Sequence, residues 1–344
     1  MEISSHAYCF SVNDPSKVGE VRRAAVSLAT TLGFDEQQQG KIAIVVAEAV
    51  KNLSTHAKDA ECIIQALSIG PSIAIDILAL DKGPGMENIN QCLRDGYSTA
   101  GTAGIGLGAI SRLSSAFDIH SAPGMGTVLF SRIWQGSTGK PATPSPWDEG
   151  FVRLPMNGEE VCGDDWSSVH LPGRSLIIVA DGLGHGPQAA QASSEAVRLF
   201  RANANRGPEE IVQILHAGLR ATRGAAVAVA ELNWSTRQIL FAGVGNITAA
   251  IISRDAVKSL TSYNGTAGHE LRKLQQFTYQ WPVGAVLIMS SDGLGTQWRL
   301  DRYPGLISKH PGVIAGALYR DFSRRRDDLS VVVVREASEG GGLA

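Results

Sequence analysis

The chain has 344 residues, with 31 basic and 33 acidic side chains and a formal net charge of −2 at pH 7. This length predicts two ordinary domains, and the near balance of charge argues against a nucleic-acid footprint. No apolar run approaches the roughly 18 residues of a membrane-spanning helix, and the first ten residues lack the layout of a secretion signal, so we expect a cytoplasmic protein. No C-x-x-C pair occurs among the cysteines, which argues against a zinc site or a disulfide framework. The cysteines are Cys9, Cys62, Cys92 and Cys162.

The first part of the chain predicts helices followed by paired strands. Asp14 is a suitable N-cap for a helix with Pro15 in its first turn, and Gly33 is a suitable stop. Helical and then alternating spacing of apolar residues continues beyond it. The predicted helices cover 15–32 and 35–57, and the predicted strands cover 61–69 and 73–80. This order favours an α/β sandwich with one face of the sheet covered.

A linker separates this part from the rest of the chain. Residues 135–149 are rich in glycine, serine and proline and have no hydrophobic period. We therefore predict a first domain, a linker, a second domain and a disordered Gly-rich tail. Their bounds are 1–135, 136–150, 151–336 and 337–344.

The second part of the chain predicts two helices among many short strands. Each predicted strand is a β-rich run bounded by Gly, Asn, Asp or Pro. The predicted helices are 188–201 and 208–220, and the predicted strands are 151–156, 175–180, 225–231, 238–242, 248–252, 286–289 and 329–335. This order favours an α+β sandwich.

Two polar residues on the second predicted helix form the first candidate site. Glu48 and Asn52 are four residues apart, which places both on one helix face at roughly 6 Å. A carboxylate there can orient or deprotonate a nucleophile, and an amide oxygen can ligate Mg²⁺ without adding charge. Taken alone, the spacing also fits an ordinary solvated helix face.

A turn at the end of the second predicted strand adds another acidic residue. Asp81 is followed by Gly83 and Gly85, with a proline between the glycines. A carboxylate on such a rigid turn can accept a hydrogen bond from an adenine amino group. An Asp-initiated turn without a ligand explains the same residues.

Two further glycine-rich segments are suited to phosphate binding. Gly104, Gly106 and Gly108 precede an apolar helix predicted over 109–116, and glycines at a helix N-terminus expose backbone N–H groups to phosphates. A Gly-Met-Gly segment then ends at Thr127, which opens a strand and offers a hydroxyl near the same phosphates.

In this order the motifs resemble the four ATP-site motifs of the GHKL superfamily, which includes gyrase, heat-shock chaperones, histidine kinases and MutL. The segment 95–99 before the glycines looks most like that of the small anti-sigma-factor serine/threonine kinases. The resemblance covers about 12–134 and implies that Glu48 is the catalytic base, Asn52 holds Mg²⁺ and Asp81 recognises adenine. It also implies that the glycines hold the phosphates of ATP together with a hydroxyl. These residues are Gly83, Gly85, Gly104, Gly106, Gly108 and Thr127.

Acidic residues of the second part recur beside predicted strands. Asp164 follows a glycine, Asp181 and Asp292 each precede a glycine after an apolar strand, and Asp327 precedes another strand. Carboxylates gathered at one end of a β-sandwich can hold two divalent ions ~3.5–4 Å apart, which can activate a bridging water for attack on phosphate. Any single Asp-Gly pair also fits ordinary turn chemistry.

The order Gly-Asp, Asp-Gly-x-Gly-x-Gly, Ser-Asp-Gly and Asp-Asp-x-Ser resembles the metal-dependent serine/threonine phosphatases of the SpoIIE type. This resemblance covers about 156–334 and implies an αββα sandwich of the PPM kind. It also implies two Mn²⁺ or Mg²⁺ ions, held by four carboxylates and a carbonyl. The implied ligands are Asp164, Asp181, Asp292 and Asp327, with the carbonyl of Gly182.

Several neighbouring residues are open to more than one interpretation. Asp165 and Asp328 each adjoin a better match, and Asp328 fits a role in positioning the loop. His185 fits both a surface loop residue and a phosphate contact. We expect Asn246 to cap or turn the backbone between two strands, and the arginines 324–326 to form a solvated charge patch.

Together the resemblances imply a bifunctional cytoplasmic enzyme of a bacterial partner-switching pathway. The first domain would phosphorylate Ser or Thr on a STAS-type anti-sigma-factor antagonist, and the second would remove that phosphate from it or from a relative. No nucleic-acid or membrane partner is expected. Two alternatives stay open: the first domain sequesters a regulatory partner and needs ATP only for its shape, or ATP binding gates the phosphatase.

Overall fold

The computed structural model describes residues 6–56, 59–93, 106–136 and 145–337. Gly104, the segment 95–99 and the tail beyond 337 lie outside these described ranges. Of the described residues, 31% are helical and 36% lie in strands, which confirms the mixed class predicted from the sequence. It divides into two compact units, and the first unit includes Gly312–Arg320 from far along the chain. The sequence alone placed those residues inside a continuous second domain over 151–336.

The first unit is one five-stranded antiparallel sheet with helices. The strand order is β1-β2-β3-β5-β4. Its elements are β1 Ala7–Ser11, α1 Lys17–Thr31, α2 Glu36–His56, β2 Glu61–Ile69, β3 Ser72–Asp81, α3 Ile89–Cys92, α4 Gly106–Leu113, β4 Ala116–Ser121 and β5 Thr127–Trp134, with residues 312–320 of α7, Pro311–Phe322.

The core of this unit forms between the helices and one face of the sheet. Val21, Ala25 and Leu28 repeat at helical spacing on α1 and are buried, and they cluster with Ile64 of β2 and Ile77 of β3. The spacing of 3.6 residues per turn places the three α1 residues on one stripe. This packing holds α2 against the sheet, and α2 bears Glu48 and Asn52.

Two helix bounds in this unit differ from the prediction. The first helix begins at Lys17, because Asp14 accepts a 2.8 Å hydrogen bond from the Ser16 amide in a turn that precedes the helix. The helix predicted over 109–116 ends at Leu113, since Ala116 already pairs with Arg132 as the first residue of β4.

The second unit contains two five-stranded antiparallel sheets. Their orders are β13-β10-β9-β8-β7 and β12-β11-β14-β15-β6. The elements are β6 Trp147–Leu154, β7 Asp164–Leu171, β8 Arg174–Gly182, α5 Pro187–Ala202, α6 Pro208–Gly218, β9 Ala225–Asn233, β10 Gln238–Val244, β11 Thr248–Ile252, β12 Val257–Leu260, β13 Phe277–Gln280, β14 Val286–Ser290 and β15 Leu329–Glu336.

Helices α5 and α6 cover one face of the first of these sheets. Phe200 of α5 and Leu215 of α6 are fully buried with Ile178 of β8 and Val229 of β9. Strand β6 begins at Trp147, inside the stretch predicted as linker, because its side chain is buried and its backbone pairs with Glu336. Within the described ranges, no helix combines the length and the apolar character needed to cross a bilayer.

Candidate functional sites

The residues predicted to bind ATP form two groups in the first unit. In the first group, Glu48 and Asn52 lie one turn apart on α2, and Gly106 begins α4 directly beside them. A Cβ atom built on Gly106 would lie 2.9 Å from Glu48 Oε2 and 3.5 Å from Asn52 Oδ1. A larger residue at this position would therefore displace the Glu48 carboxylate. Gly108, two residues on, is buried.

The second group lies where β3 ends and β5 begins. Asp81 is the last residue of β3 and pairs in register with Thr127, the first residue of β5. Asp81 is 8% exposed, and its Oδ1 accepts a 2.7 Å hydrogen bond from the Gly83 amide. Burial raises the pKa of Asp81 above its ordinary value, and that amide opposes the rise. The structure thus joins an acceptor on a tight turn to a threonine on the neighbouring strand.

Glycines hold the backbone of this second group in place. Gly85 and Gly126 have φ values of +73° and +68°, in the left-handed region that favours glycine. A Cβ on Gly126 would collide with the Asp81 carbonyl oxygen, and one on Gly85 with that of Ala122. Any side chain at these positions would push the turn away from Asp81.

Ser121 is a residue of this group that the sequence did not reveal. Its hydroxyl accepts a 2.9 Å hydrogen bond from the Met86 amide and lies 3.0 Å from Thr127 Oγ1. It therefore ties the turn after Asp81 to the start of β5. A single serine at the end of a strand carries no sequence signal for such a role.

The four aspartates predicted to bind metal meet in the second unit. Asp164 begins β7 and pairs in register with Asp181 near the end of β8. Asp292 follows β14, and Asp327 lies two residues before β15. Burial raises the pKa of Asp181, and the neighbouring carboxylates of Asp164, Asp292, Asp327 and Asp328 raise it further. Like charges held together in this way favour bound protons or cations.

Asp164 is fully buried, and among the described residues neither of its carboxylate oxygens makes a hydrogen bond of ordinary geometry, although the Ser291 hydroxyl is near enough to oppose the rise that burial causes in its pKa. Unpaired buried polar atoms of this kind are rare and costly, so they indicate a missing partner. Within the described ranges no three Asp, Glu, His or Cys side chains already close around one point. The donor set is nevertheless entirely carboxylate oxygen, which suits Mg²⁺ or Mn²⁺. The residues present therefore fit a divalent cation.

Gly182 lies directly behind these carboxylates. Its amide donates a 3.1 Å hydrogen bond to the Gly163 carbonyl, and a Cβ on it would collide with the Ala189 carbonyl of α5. The close approach of α5 thus requires glycine after Asp181. The role of the Gly182 carbonyl as a metal ligand stays a prediction.

The carboxylates open onto a cleft of about 570 Å³. Asp181, Asp292 and Asp327 line it, together with polar side chains on other segments. The polar residues in question are His185, Asn246, Asn264, Thr266 and Arg326. A cleft lined by three carboxylates and an arginine is suited to a phosphate group held beside metal ions.

Asn246 makes a contact that the sequence reading did not include. It lies in the bend between β10 and β11, and its Nδ2 donates a 2.7 Å hydrogen bond to Asp292 Oδ2. The expected role in turning the backbone is therefore incomplete, because the side chain orients a candidate ligand. Arg326 lines the cleft, so the expectation that residues 324–326 form only a solvated patch is also incomplete.

Two of the remaining acidic residues point to other partners. Asp165 Oδ1 accepts from the Trp166 amide at 2.9 Å and lies 3.6 Å from Arg153 Nε. Asp328 Oδ1 accepts a 2.8 Å hydrogen bond from the Met156 amide, which suits a role in positioning the loop. His185 is exposed and its Nδ1 lies 2.7 Å from Glu159 Oε1.

Two family models match the chain, one on each side of the predicted linker. Residues 12–132 match the histidine kinase-like ATPase domain, and residues 172–336 match the SpoIIE family, stage II sporulation protein E. The chain joins a domain of the first family to a domain of the second. These matches confirm both resemblances drawn from the motifs.

Similar proteins repeat this division between the two halves. The serine/threonine-protein kinase RsbT of Bacillus subtilis is 28% identical over 126 residues, which are 37% of this chain and 95% of that kinase. The phosphoserine phosphatase RsbX of the same organism is 24% identical over 184 residues, which are 53% of this chain and 90% of that phosphatase.

A solved structure is also similar to the chain. It is described as "The bacterial stressosome: a modular system that has been adapted to control secondary messenger signaling". The two are 26% identical with a TM-score of 0.53, and the match covers 56% of this chain and 100% of that one.

Proposed function

We propose that the chain is a bifunctional protein serine/threonine kinase and phosphatase that sets the phosphorylation state of one class of regulatory protein. The observation that carries the proposal is that one chain holds Glu48 and Asn52 beside Gly106 in one unit and the buried Asp164 in register with Asp181 in the other. The similarity of the two halves to a kinase and to a phosphatase supports it.

The kinase half transfers the γ-phosphoryl group of ATP to a Ser or Thr hydroxyl. Glu48 accepts the hydroxyl proton while the new O–P bond forms and the bond to ADP breaks. In this proposal Asn52 holds Mg²⁺ through its amide oxygen, and Asp81 accepts a hydrogen bond from the adenine amino group. Binding of ATP alone needs no base, so the pairing of Glu48 with Asn52 favours phosphotransfer.

The phosphatase half removes a phosphoryl group from phosphoserine or phosphothreonine. In this proposal two Mg²⁺ or Mn²⁺ ions would be held by Asp164, Asp181, Asp292 and Asp327, with the Gly182 carbonyl. When bound, such ions lower the pKa of a water molecule and polarise the phosphate. Asn246 keeps Asp292 oriented, and Arg326 at the rim offers positive charge to the substrate phosphate.

The substrate we propose is a STAS-domain anti-sigma-factor antagonist in a cytoplasmic partner-switching pathway. The support is the pairing of an RsbT-like kinase half with an RsbX-like phosphatase half. Two opposed activities on one chain make a reversible switch, and a small regulatory protein with one phosphorylated side chain is the simplest target for it.

The test uses the full chain and the STAS-domain protein encoded nearest to it. With Mg²⁺ and γ-labelled ATP, label is expected on Ser or Thr of that protein. Purified phosphoprotein then loses its label when the full chain and Mn²⁺ are added without ATP, and excess EDTA stops the loss.

The two halves of the proposal can fail separately. ATP binding without any label transfer would support the alternative in which the first domain only binds ATP and sequesters or senses a partner. Label loss that continues in excess EDTA would contradict the metal-dependent phosphatase.

A further inference from the structure

The sheet of the first unit is buried on both faces. One face packs against α1, α2 and α4, as the core there includes Ile77 and Leu129. Alternate residues of the same strands, Leu78, Leu80 and Phe130, point to the opposite face and are also at most 1% exposed. A second layer must therefore cover that face.

Residues 312–320 of α7 provide this layer. Gly312 and Gly316 lie one turn apart, and a Cβ on Gly316 would lie 2.9 Å from Leu78 Cδ2 and 3.0 Å from Val128 Cγ1. A Cβ on Gly312 would collide with the ring of Phe130. Both glycines therefore face the sheet and let the helix backbone approach it closely.

Arg320 continues the same helix face by one more turn. It is only 6% exposed, and its Nη1 donates a 2.9 Å hydrogen bond to the Asp81 carbonyl oxygen. The same nitrogen lies 3.4 Å from the Thr127 carbonyl oxygen. Asp81 and Thr127 are register partners, so one guanidinium bridges the ends of β3 and β5.

The bridge joins Asp81, proposed to recognise adenine, to Thr127, proposed to contact the phosphates. A buried cation that donates to both carbonyl oxygens holds the two strand ends together. The positive charge also opposes the rise that burial causes in the pKa of Asp81. An ionised Asp81 is a pure acceptor, as the adenine amino group requires.

We propose that Arg320 is a positioning residue of the nucleotide site, supplied by a helix that the sequence places inside the phosphatase half. The inference rests on the proposed ATP site and deepens it. The adenine-binding end of that site is then complete only when residues 312–320 cover the sheet, although every ATP motif lies before residue 135.

The test compares full-length variants by calorimetric titration with ATP and with GTP, each in the presence of Mg²⁺. Arg320→Met should weaken ATP binding by about tenfold or more and reduce the preference for ATP over GTP, because the Asp81 turn loses its support. The matched control is the double variant Asp76→Leu with Arg132→Met. It removes a buried ion pair (2.6 Å) from the sheet face that residues 312–320 cover, at a pair of β3 and β5 residues away from Asp81 and Thr127.

The control should change the melting temperature while it keeps the affinity and the preference for ATP. Equal losses in Arg320→Met and the control would overturn the inference, since they would reflect a generally weakened sheet. Unchanged affinity and preference in folded Arg320→Met would overturn it too. If Arg320→Met does not fold, Arg320→Gln decides by the same two criteria. A wild-type chain that binds no ATP would instead remove the proposed site itself.

Discussion

The two candidate sites treat a buried carboxylate in different ways. Asp81 accepts a hydrogen bond from the Gly83 amide. Among the described residues, the oxygens of the buried Asp164 make no hydrogen bond of ordinary geometry, and burial, together with the carboxylates of Asp328 and Asp327, raises its pKa. An acceptor that the backbone satisfies is stable without a ligand, whereas like charges held together favour bound cations or protons. On the proposed function, the Asp81 turn is therefore formed before ATP binds, and bound metal ions stabilise the carboxylates of the second site.

The largest effect should come from Asp181→Asn. It removes a ligand, so metal-dependent hydrolysis of the phosphoprotein should fall by more than the roughly 10–100-fold that loss of an outer-shell partner costs. Burial and the neighbouring carboxylates raise the pKa of Asp181 to about 9, so above that pH the same change removes a repelled charge and the melting temperature in EDTA should rise. Asp165→Asn is the control, with a milder effect on activity because Asp165 faces Arg153. Full activity in Asp181→Asn would refute the metal centre.

Glu48→Gln tests whether the preformed site is catalytic. Phosphotransfer should fall by ~10²–10⁴-fold, the usual contribution of a positioned base, while ATP affinity stays nearly unchanged. Single-turnover label transfer and calorimetric titration measure the two quantities. A normal transfer rate would move the base to another residue.

Asn246→Ala should have an intermediate effect on the second site. The 2.7 Å hydrogen bond to Asp292 is lost, so metal affinity should weaken by about 10–100-fold with smaller losses at saturating metal. Asn264→Ala changes another amide of the same cleft and is expected to do less. Equal losses in the two variants would mean that Asn246 does not orient Asp292.

The smallest effect is on the pH dependence of stability. Asp164, Asp181 and Asp292 have pKa values raised above their ordinary 3.8, first by burial and also by neighbouring carboxylates. The folded state therefore binds protons more tightly than the unfolded state, and this contribution is present below about pH 4 and lost as pH rises through the raised pKa values. In EDTA the melting temperature should fall over that range, and Mg²⁺ should flatten the curve. A curve in EDTA that rises instead would contradict the repulsion.

Most of the candidate site motifs are local patterns, a turn at a strand end or a helix start, which is why the sequence shows them; their binding of ATP or metal stays a prediction. Strands 61–69 and 248–252 were predicted to the residue, since their apolar runs have clear borders. Helix α7 was missed. Gly312 and Gly316 lower its helix propensity by about 1 kcal/mol each, and residues 311–320 are all buried, so this segment lacks the exposed polar face of a surface helix.

Asn246 and Arg320 show why local sequence patterns do not predict contacts between residues that are far apart in the chain. Asn246 meets Asp292 46 residues later, and Arg320 meets Asp81 239 residues earlier. Neither pair shares a turn, a helix face or a strand alternation. Their meeting depends on the register of sheets and on the packing of a helix, which only the folded chain specifies.

Residues 312–320 of α7 also determine how the protein responds to proteolysis. A protease that nicks the chain near the predicted linker would cleave one peptide bond, yet the first unit would stay attached through residues 312–320. A fragment that stops at residue 136 would lack this helix and expose Leu78, Leu80, Val128 and Phe130 to water. Such an apolar surface drives self-association. The first unit is therefore complete only in a chain that extends through residue 320, although the candidate ATP motifs all lie before residue 135.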